Sequence, residues 1–412
     1  MGREPCKIYE KDKLVRVALI GNMNNNNFSI MRYFRDFGID AHLILFKNDV
    51  AKSQSHFKPE LDTWEIEKWS SYIHYINLTS YYAALFYPAF LMKKYFKGYD
   101  VIISSGLIPV ILNKCGINSD IYYPYATGIE GVGDQNAREK WTNKPYYKKV
   151  LYSYLRSLKI SAIKRTAVCI NSEMTLTKST FDELGIAFEK VSIPMVYNKG
   201  KTKNNKENLS ELKLKINSYK YKLFCHVSHL PHKDNLPMIE GVAKFIGSQK
   251  PNDCVLVLLE YGLPNSIEFT KKRFKDLGVA DSVLWLSKKS RKELMFLIEG
   301  VDFGFGEFQG RFWGGTGWEF LSKGVPFFHF INMTSEEFER EFNTPMPCII
   351  NTNSSDEIYR HLINFTLNPH HYKKRGKEMK EWFEQYGGIG LAKIWKDIVL
   401  RIYKEKLLNE II

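Results

Sequence analysis

Apolar positions along the chain follow two alternating periods. "LVRVALI" (14–20) is a short apolar run of the kind that fills a buried strand, and "GNMNNNNFSIMRYFRDFGIDAHLILF" follows at once. Phe28, Met31, Phe34 and Phe37 recur there at helical spacing, Gly38 ends the pattern, and "AHLILF" (41–46) returns to strand. Strand, loop, helix and strand in succession open a doubly wound parallel sheet. Further strands are expected at "DVIISSG" (100–106), "DIYYPYATG" (120–128) and "AVCINSE" (167–173). The helix predicted between the last two, "KPYYKKVLYSYLRSLKISAIKRT" (144–166), is dense in Lys, Arg and Tyr. "SYYAALFYPAFLMKKYF" (80–96) is equally aromatic, but Pro88 argues against an unbroken helix.

A Lys- and Asn-rich run over 198–219 reads as a linker. A second alternating series then begins with the strand "KLFCHVSHL" (222–230) and the helix "DNLPMIEGVAKFIGSQ" (234–249). It continues through "CVLVLLEYG" (254–262), "SVLWLS" (282–287), "RKELMFLIEGV" (291–301) and "VPFFHFI" (325–331). Residues 356–408 are helical in pattern throughout. The division expected is an α/β chain of two Rossmann-like domains, 1–197 and 220–380, with C-terminal helices over 381–412 that cross back to the first domain.

A length of 412 residues allows two good cores, and 44% hydrophobic with 25% charged residues describes an ordinary globular chain. The net charge of +14 adds a preference for anionic partners: nucleotide phosphates, nucleic acid or lipid headgroups. No helix-turn-helix, RNP or zinc-finger pattern supports nucleic acid. Cys6, Cys115, Cys169, Cys225, Cys254 and Cys348 form no C-x-x-C, and most sit in apolar runs, so they read as reduced thiols of a cytoplasmic protein. The residues before Leu14 lack the apolar core of a signal peptide, and no run reaches the length of a membrane span. The Tyr/Lys-rich helix fits either plain packing with a solvated basic face or contact with an anionic membrane surface.

The densest local signal is "FGEFQGRFWGGTGWEFLSKGVPFF" (305–328). Glycines at 310, 314, 315 and 317 stand directly before a short helix, where backbone N–H groups are free to meet an anion that comes close. After the first strand, "GNMNNNN" takes the place of a G-x-G-x-x-G fingerprint. Asn tolerates left-handed backbone and offers amide donors and acceptors, so Asn22, Asn26 and Asn27 are candidates for a polar site at the sheet edge, a solvated loop being the alternative.

These two halves, with their linker and terminal helices, resemble the GT-B fold of glycosyltransferases. "HVSHLPHKDNLPMIEGVAKF", "LLEYG", "DSVLWLSKKSRKELMFLIEGVDFGFGEF" and "GGTGWEFLSKGVPFF" resemble successive landmarks of the family 4-like retaining members. The likeness is fairly specific over 222–330 and looser before it, where "YPYATGIEG" is similar to an H-G-x-D loop with Thr127 for His and Glu130 for Asp. The resemblance implies a nucleotide-diphosphate sugar as co-substrate and no separate cofactor. Gly314, Gly315, Thr316 and Gly317 would cradle the diphosphate, Glu319 would accept from the ribose hydroxyls, Lys233 would neutralise the leaving diphosphate, and His229 would add a further contact to the donor. The strand around Leu284 and Leu286 would meet the base. The acceptor, a glycan or lipid-linked sugar of surface polysaccharide synthesis, would approach Asn22, Asn26, Asn27 and Gly128, with Glu130 orienting or deprotonating its hydroxyl.

One departure stands out: the family pair is two glutamates with seven residues between them, and Arg311 occupies the first position. Arg311 could pair with phosphate or sugar and Glu307 could take over the acidic contact, or the two could form a surface ion pair. No D-x-D and no metal-ligand spacing of His occurs, so no metal is expected and transfer with retention would proceed without one. A nucleotide-sugar epimerase would share this fold and donor site, and a non-catalytic GT-B subunit would tolerate the departures at Arg311 and Thr127.

Overall fold

A computed structural model describes residues 14–47, 57–77, 85–124, 129, 144–171, 176–200, 207–233, 235–310 and 314–411. Glu130, Gly128, Thr127 and Arg311 lie outside the described residues.

Each half is a parallel sheet whose middle strands are buried on both faces. In the first, β1 (Arg16–Ile20), β2 (Asp40–Phe46), β3 (Ile73–Ile76), β4 (Val101–Ser104), β5 (Ile121–Tyr122), β6 (Val168–Asn171) and β7 (Glu189–Lys190) lie in the order 3-2-1-4-5-6-7. In the second, β8 (Tyr221–Cys225), β9 (Cys254–Glu260), β10 (Val283–Ser287), β11 (Phe303–Phe305), β12 (Phe327–His329) and β13 (Ile350–Asn351) lie in the order 10-9-8-11-12-13. The continuous apolar runs of β1, β4 and β9 are what a two-face burial requires. Strand order reverses between β1 and β4 and again between β8 and β11. At such switch points the loops leaving the carboxyl ends diverge and open a crevice.

The last helix, Ile389–Ile411, belongs to the first core. Leu391, Trp395, Val399 and Ile402 pack with Val17, Phe28 and Ile103, and the Trp395 indole donates to the Ser192 carbonyl at 2.8 Å. Within the expected linker, Glu207–Asn217 is a helix whose Leu209 and Ile216 enter the second core, because its apolar residues recur at helical spacing despite the surrounding lysines. Pro88 caps a short helix, Ala89–Lys93, as its missing N–H demands. Cys115, Cys169, Cys225 and Cys254 are buried free thiols, and burial pushes Cys169, Cys225 and Cys254 up to about 12. Among the described residues no helix is long and apolar enough to cross a membrane.

Candidate functional site

The carboxyl ends of the two sheets enclose a cavity of about 270 Å³ between the halves. Asn24, Asn25 and Asn26, after β1, line it from the first half. Asn24 and Asn25 have φ of 52° and 59°, left-handed values that Asn accepts at little cost. Asn22 holds the loop in shape: its amide donates to Asn25 Oδ1 at 2.6 Å and to the Phe57 carbonyl at 3.0 Å, and its oxygen accepts from the Phe28 amide at 2.9 Å. Asn27 is likewise structural, donating to the Gly21 carbonyl at 2.9 Å and accepting from the Tyr123 hydroxyl at 2.7 Å. Of the three asparagines singled out in the sequence, Asn26 alone lines the cavity, and its buried Oδ1 has no protein partner.

On the opposite wall stands helix Gly315–Lys323, with Gly314 as its N-cap. Gly314, Gly315 and Thr316 present the end of the helix where amides lack intrahelical acceptors and the dipole is positive. A Cβ on Gly314 would meet nothing within 4 Å, so packing does not require glycine there. Gly317 is one step further in, its amide bonded to the Gly314 carbonyl at 3.1 Å. Glu319 follows Gly315 by one turn, and because helical side chains lean toward the N-terminus its carboxylate reaches back beside the glycines.

Glu319 is 5% exposed, and each oxygen of its carboxylate has one protein partner. His226 Nε2 lies 2.6 Å from Oε2, and Arg291 Nε donates to Oε1 at 2.8 Å. Burial alone would raise its pKa, but the hydrogen bonds and charges of His226 and Arg291 outweigh that and hold it below the ordinary glutamate range. The other ring nitrogen of His226, Nδ1, is buried without a protein partner, and His226 also lines the cavity. Burial works against the charge on Arg291, yet Asp62 and Glu319 prevail and raise its pKa.

Lys233 ends a turn after β8 and pairs with Glu307, which follows β11, at the second switch point. The Glu307 amide donates to His329 Nδ1 at 3.0 Å. Neither Lys233 nor Glu307 lines the cavity itself. Three expectations place differently. His229, read as a donor contact, is buried in the second half with Nδ1 3.2 Å from Thr270 Oγ1 and its main chain bridged to Gly262. Bonded along that bridge and lowered in pKa by burial, it does not line the cavity. Leu284 and Leu286 are held in register with Val257 and Leu259, and the chain reaches the cavity only after β10, through Lys288, Lys289 and Ser290.

Sequence reasoning missed His226, Tyr261, Lys288, Arg291 and Asp62. One signal was present. Arg291 and Lys292 occupy the first turn of a helix capped by the Ser290/Glu293 box, the end where the dipole disfavours cations. Both reach across to the first half, Arg291 to Asp62 at 3.0 Å and Lys292 to the Glu60 carbonyl at 2.6 Å. Among the described residues no group of three His, Cys, Asp or Glu side chains could hold a metal ion.

No protein-family model matches the chain, and no curated protein does. Solved structures do. HepE of Anabaena, crystallised with UDP, superposes with a TM-score of 0.60 at 11% identity over 94% of this chain and all of its own. WaaG, a glycosyltransferase involved in lipopolysaccharide biosynthesis, gives 0.53 at 13% identity over 93% of this chain and 99% of its own. Sucrose-phosphate synthase of Thermosynechococcus elongatus gives 0.57 at 10% identity over 96% and 99%. These identities speak to architecture only. With two facing parallel sheets, a cavity between their carboxyl ends and a last helix returning to the first core, this chain has the GT-B fold of those glycosyltransferases.

Proposed function

We propose that this chain is a glycosyltransferase that moves a sugar from a nucleotide-diphosphate sugar to a glycan or lipid-linked acceptor of surface polysaccharide synthesis, with retention and without a metal. One observation carries the reading: the glycine-lined N-terminus of helix Gly315–Lys323 and the ionised Glu319 one turn later open together on the interdomain cavity. That pairing suits a ligand with an anionic diphosphate and a neutral diol, the first meeting N–H groups and the second a carboxylate. Lys288 and Lys289 add positive charge to the same wall. A uridine nucleotide is the first donor to test, since HepE was crystallised with UDP and UDP-glucose.

Lys233, at the switch point, is the proposed partner of the departing diphosphate, and Glu307 its resting counter-ion. Charge that grows on the leaving group is best met by a fixed cation already in place. In a retaining transfer the leaving diphosphate takes the acceptor proton, so no dedicated base is required. Glu130 keeps the acceptor-orienting role that the resemblance implies, and Arg311, where the family has a glutamate, is proposed to contact phosphate or sugar through its guanidinium.

A lipid-linked acceptor is favoured by the surface of helix Tyr146–Lys164. Tyr147, Val150, Leu151 and Tyr154, spaced as one stripe, are 67%, 51%, 50% and 60% exposed beside the exposed Lys148 and Lys149. Peripheral contact with an anionic membrane would bring the first half to such an acceptor.

The decisive experiment screens a panel of nucleotide sugars for hydrolysis and transfer, with and without excess chelator, and reads the product's anomeric configuration by NMR. Transfer of the donor's own configuration, unaffected by chelator, is expected. Inversion would overturn the retaining reading, and no turnover with any donor would overturn the activity.

A further inference from the structure

Four buried charges link the two halves in a line. Arg32, on the helix Asn26–Asp36 that starts at the asparagine loop, donates to Asp62 Oδ2. Asp62 Oδ1 accepts from Arg291 Nη1 at 3.0 Å, and Arg291 Nε donates to Glu319 Oε1 at 2.8 Å. The side chains of Arg32, Asp62, Arg291 and Glu319 are 2%, 4%, 14% and 7% exposed, so the signs must alternate for the group to remain charged at all. Arg291 sits where its own helix dipole repels it, which leaves the two carboxylates to hold it. Only a guanidinium can place one N–H on each of them while a shared nitrogen also donates to the Met195 carbonyl, 3.1 Å away.

Glu319 therefore takes its orientation from the second half through His226 and from the first half through Asp62. We propose that Asp62 is a positioning residue for the nucleotide: by holding the Arg291 fork it aims Glu319 at the ribose hydroxyls. Asp62 lies on the acceptor-side half, so this arrangement makes ribose recognition depend on how the two halves meet. The proposal rests on the donor-site reading above.

Titration calorimetry on the full chain tests it, with UDP, ADP and GDP set against their 2′,3′-dideoxy forms. Wild type should prefer the hydroxylated form of the nucleotide it binds by about tenfold or more, the worth of charge-assisted hydrogen bonds. Asp62→Asn should lose most of that preference by weakening the hydroxylated nucleotide about tenfold while leaving the dideoxy form within about twofold. Arg291→Lys should behave alike, and the double variant should be no worse than either, because both act through one contact. Should Asp62→Asn not fold, Arg291→Lys carries the same comparison.

Equal weakening of both nucleotide forms, or no change in either, overturns the positioning role. A Glu319→Ala variant separates that failure from a deeper one. If Glu319→Ala abolishes the preference and Asp62→Asn does not, only the role of Asp62 falls. If Glu319→Ala keeps the preference, or none of the three nucleotides binds wild type, the donor site itself is misassigned and this role falls with it.

Discussion

His226 and Glu319 are separated by 93 residues, yet His226 Nε2 lies 2.6 Å from Glu319 Oε2 in a buried contact at the mouth of the second sheet. One residue follows β8 and the other sits in the helix after β11, so the contact spans the switch point where strand order reverses. It joins the part of the site that is charged, the carboxylate, to the part that shapes the wall.

Glu319→Ala should weaken nucleotide-sugar affinity by roughly 1.5–3 kcal/mol, because the ribose loses a charged acceptor. Its effect on stability has a definite pH dependence. The folded pKa lies below the ordinary glutamate value, so the carboxylate's contribution is complete above about pH 4.3 and is lost as pH falls through the lower folded value. Urea titrations from neutral pH down to pH near 3 should show this loss in wild type and a flatter dependence in Glu319→Gln.

Lys233→Ala should act on turnover rather than on affinity. Charge on the diphosphate grows toward the transition state, so removing its cation should cost about a hundredfold in kcat with a smaller change in donor KM. Lys233→Ala also leaves Glu307 without its counter-ion, and Glu307→Gln in that background should recover part of the lost stability. Steady-state kinetics showing a KM defect with normal kcat would refute the assignment.

Gly376→Ala tests how the glycine-started helix is held at its other end. Alanine is favoured over glycine inside a helix by about 1 kcal/mol, which predicts stabilisation in Pro369–Tyr386 taken alone. Here the added Cβ would stand 2.2 Å from the Gly324 carbonyl oxygen, and Gly324 has φ of 66° at the C-cap of helix Gly315–Lys323. Backbone cannot yield cheaply, so a net loss of about 1–3 kcal/mol is expected in chemical denaturation. An unchanged or higher midpoint would contradict it.

Membrane contact should depend on the exposed stripe and on charge together. Wild type should float with anionic vesicles and not with neutral ones, and added salt should weaken the binding. Tyr147→Ser with Leu151→Ser should reduce flotation while leaving nucleotide affinity intact, since neither side chain lines the cavity. Recovery in the soluble fraction under every lipid condition would remove the membrane from the model of function.

Some of this was legible in the chain alone, because it depends on neighbours in sequence. The periodicity of Phe28, Met31 and Phe34, the apolar runs of β1 and β9, and Pro88 at a helix start are local features with local causes. The glycines before Thr316 marked the start of a short helix, and Glu319 one turn on follows from helix geometry. Which polar residues face one another did not follow. His229 was read as a donor contact, yet a main-chain bridge to Gly262 buries it, and the histidine that meets Glu319 is His226. Asn27 looked as free as Asn26, until the Tyr123 hydroxyl, 96 positions away, claimed its oxygen. Asp62 carried no signal at all, because its role arises only when Arg32 and Arg291 arrive from opposite halves. Periodicity determines which face of each element is buried, but long-range pairing is decided by strand order and by the meeting of the two halves. Those depend on contacts between residues that the sequence keeps far apart.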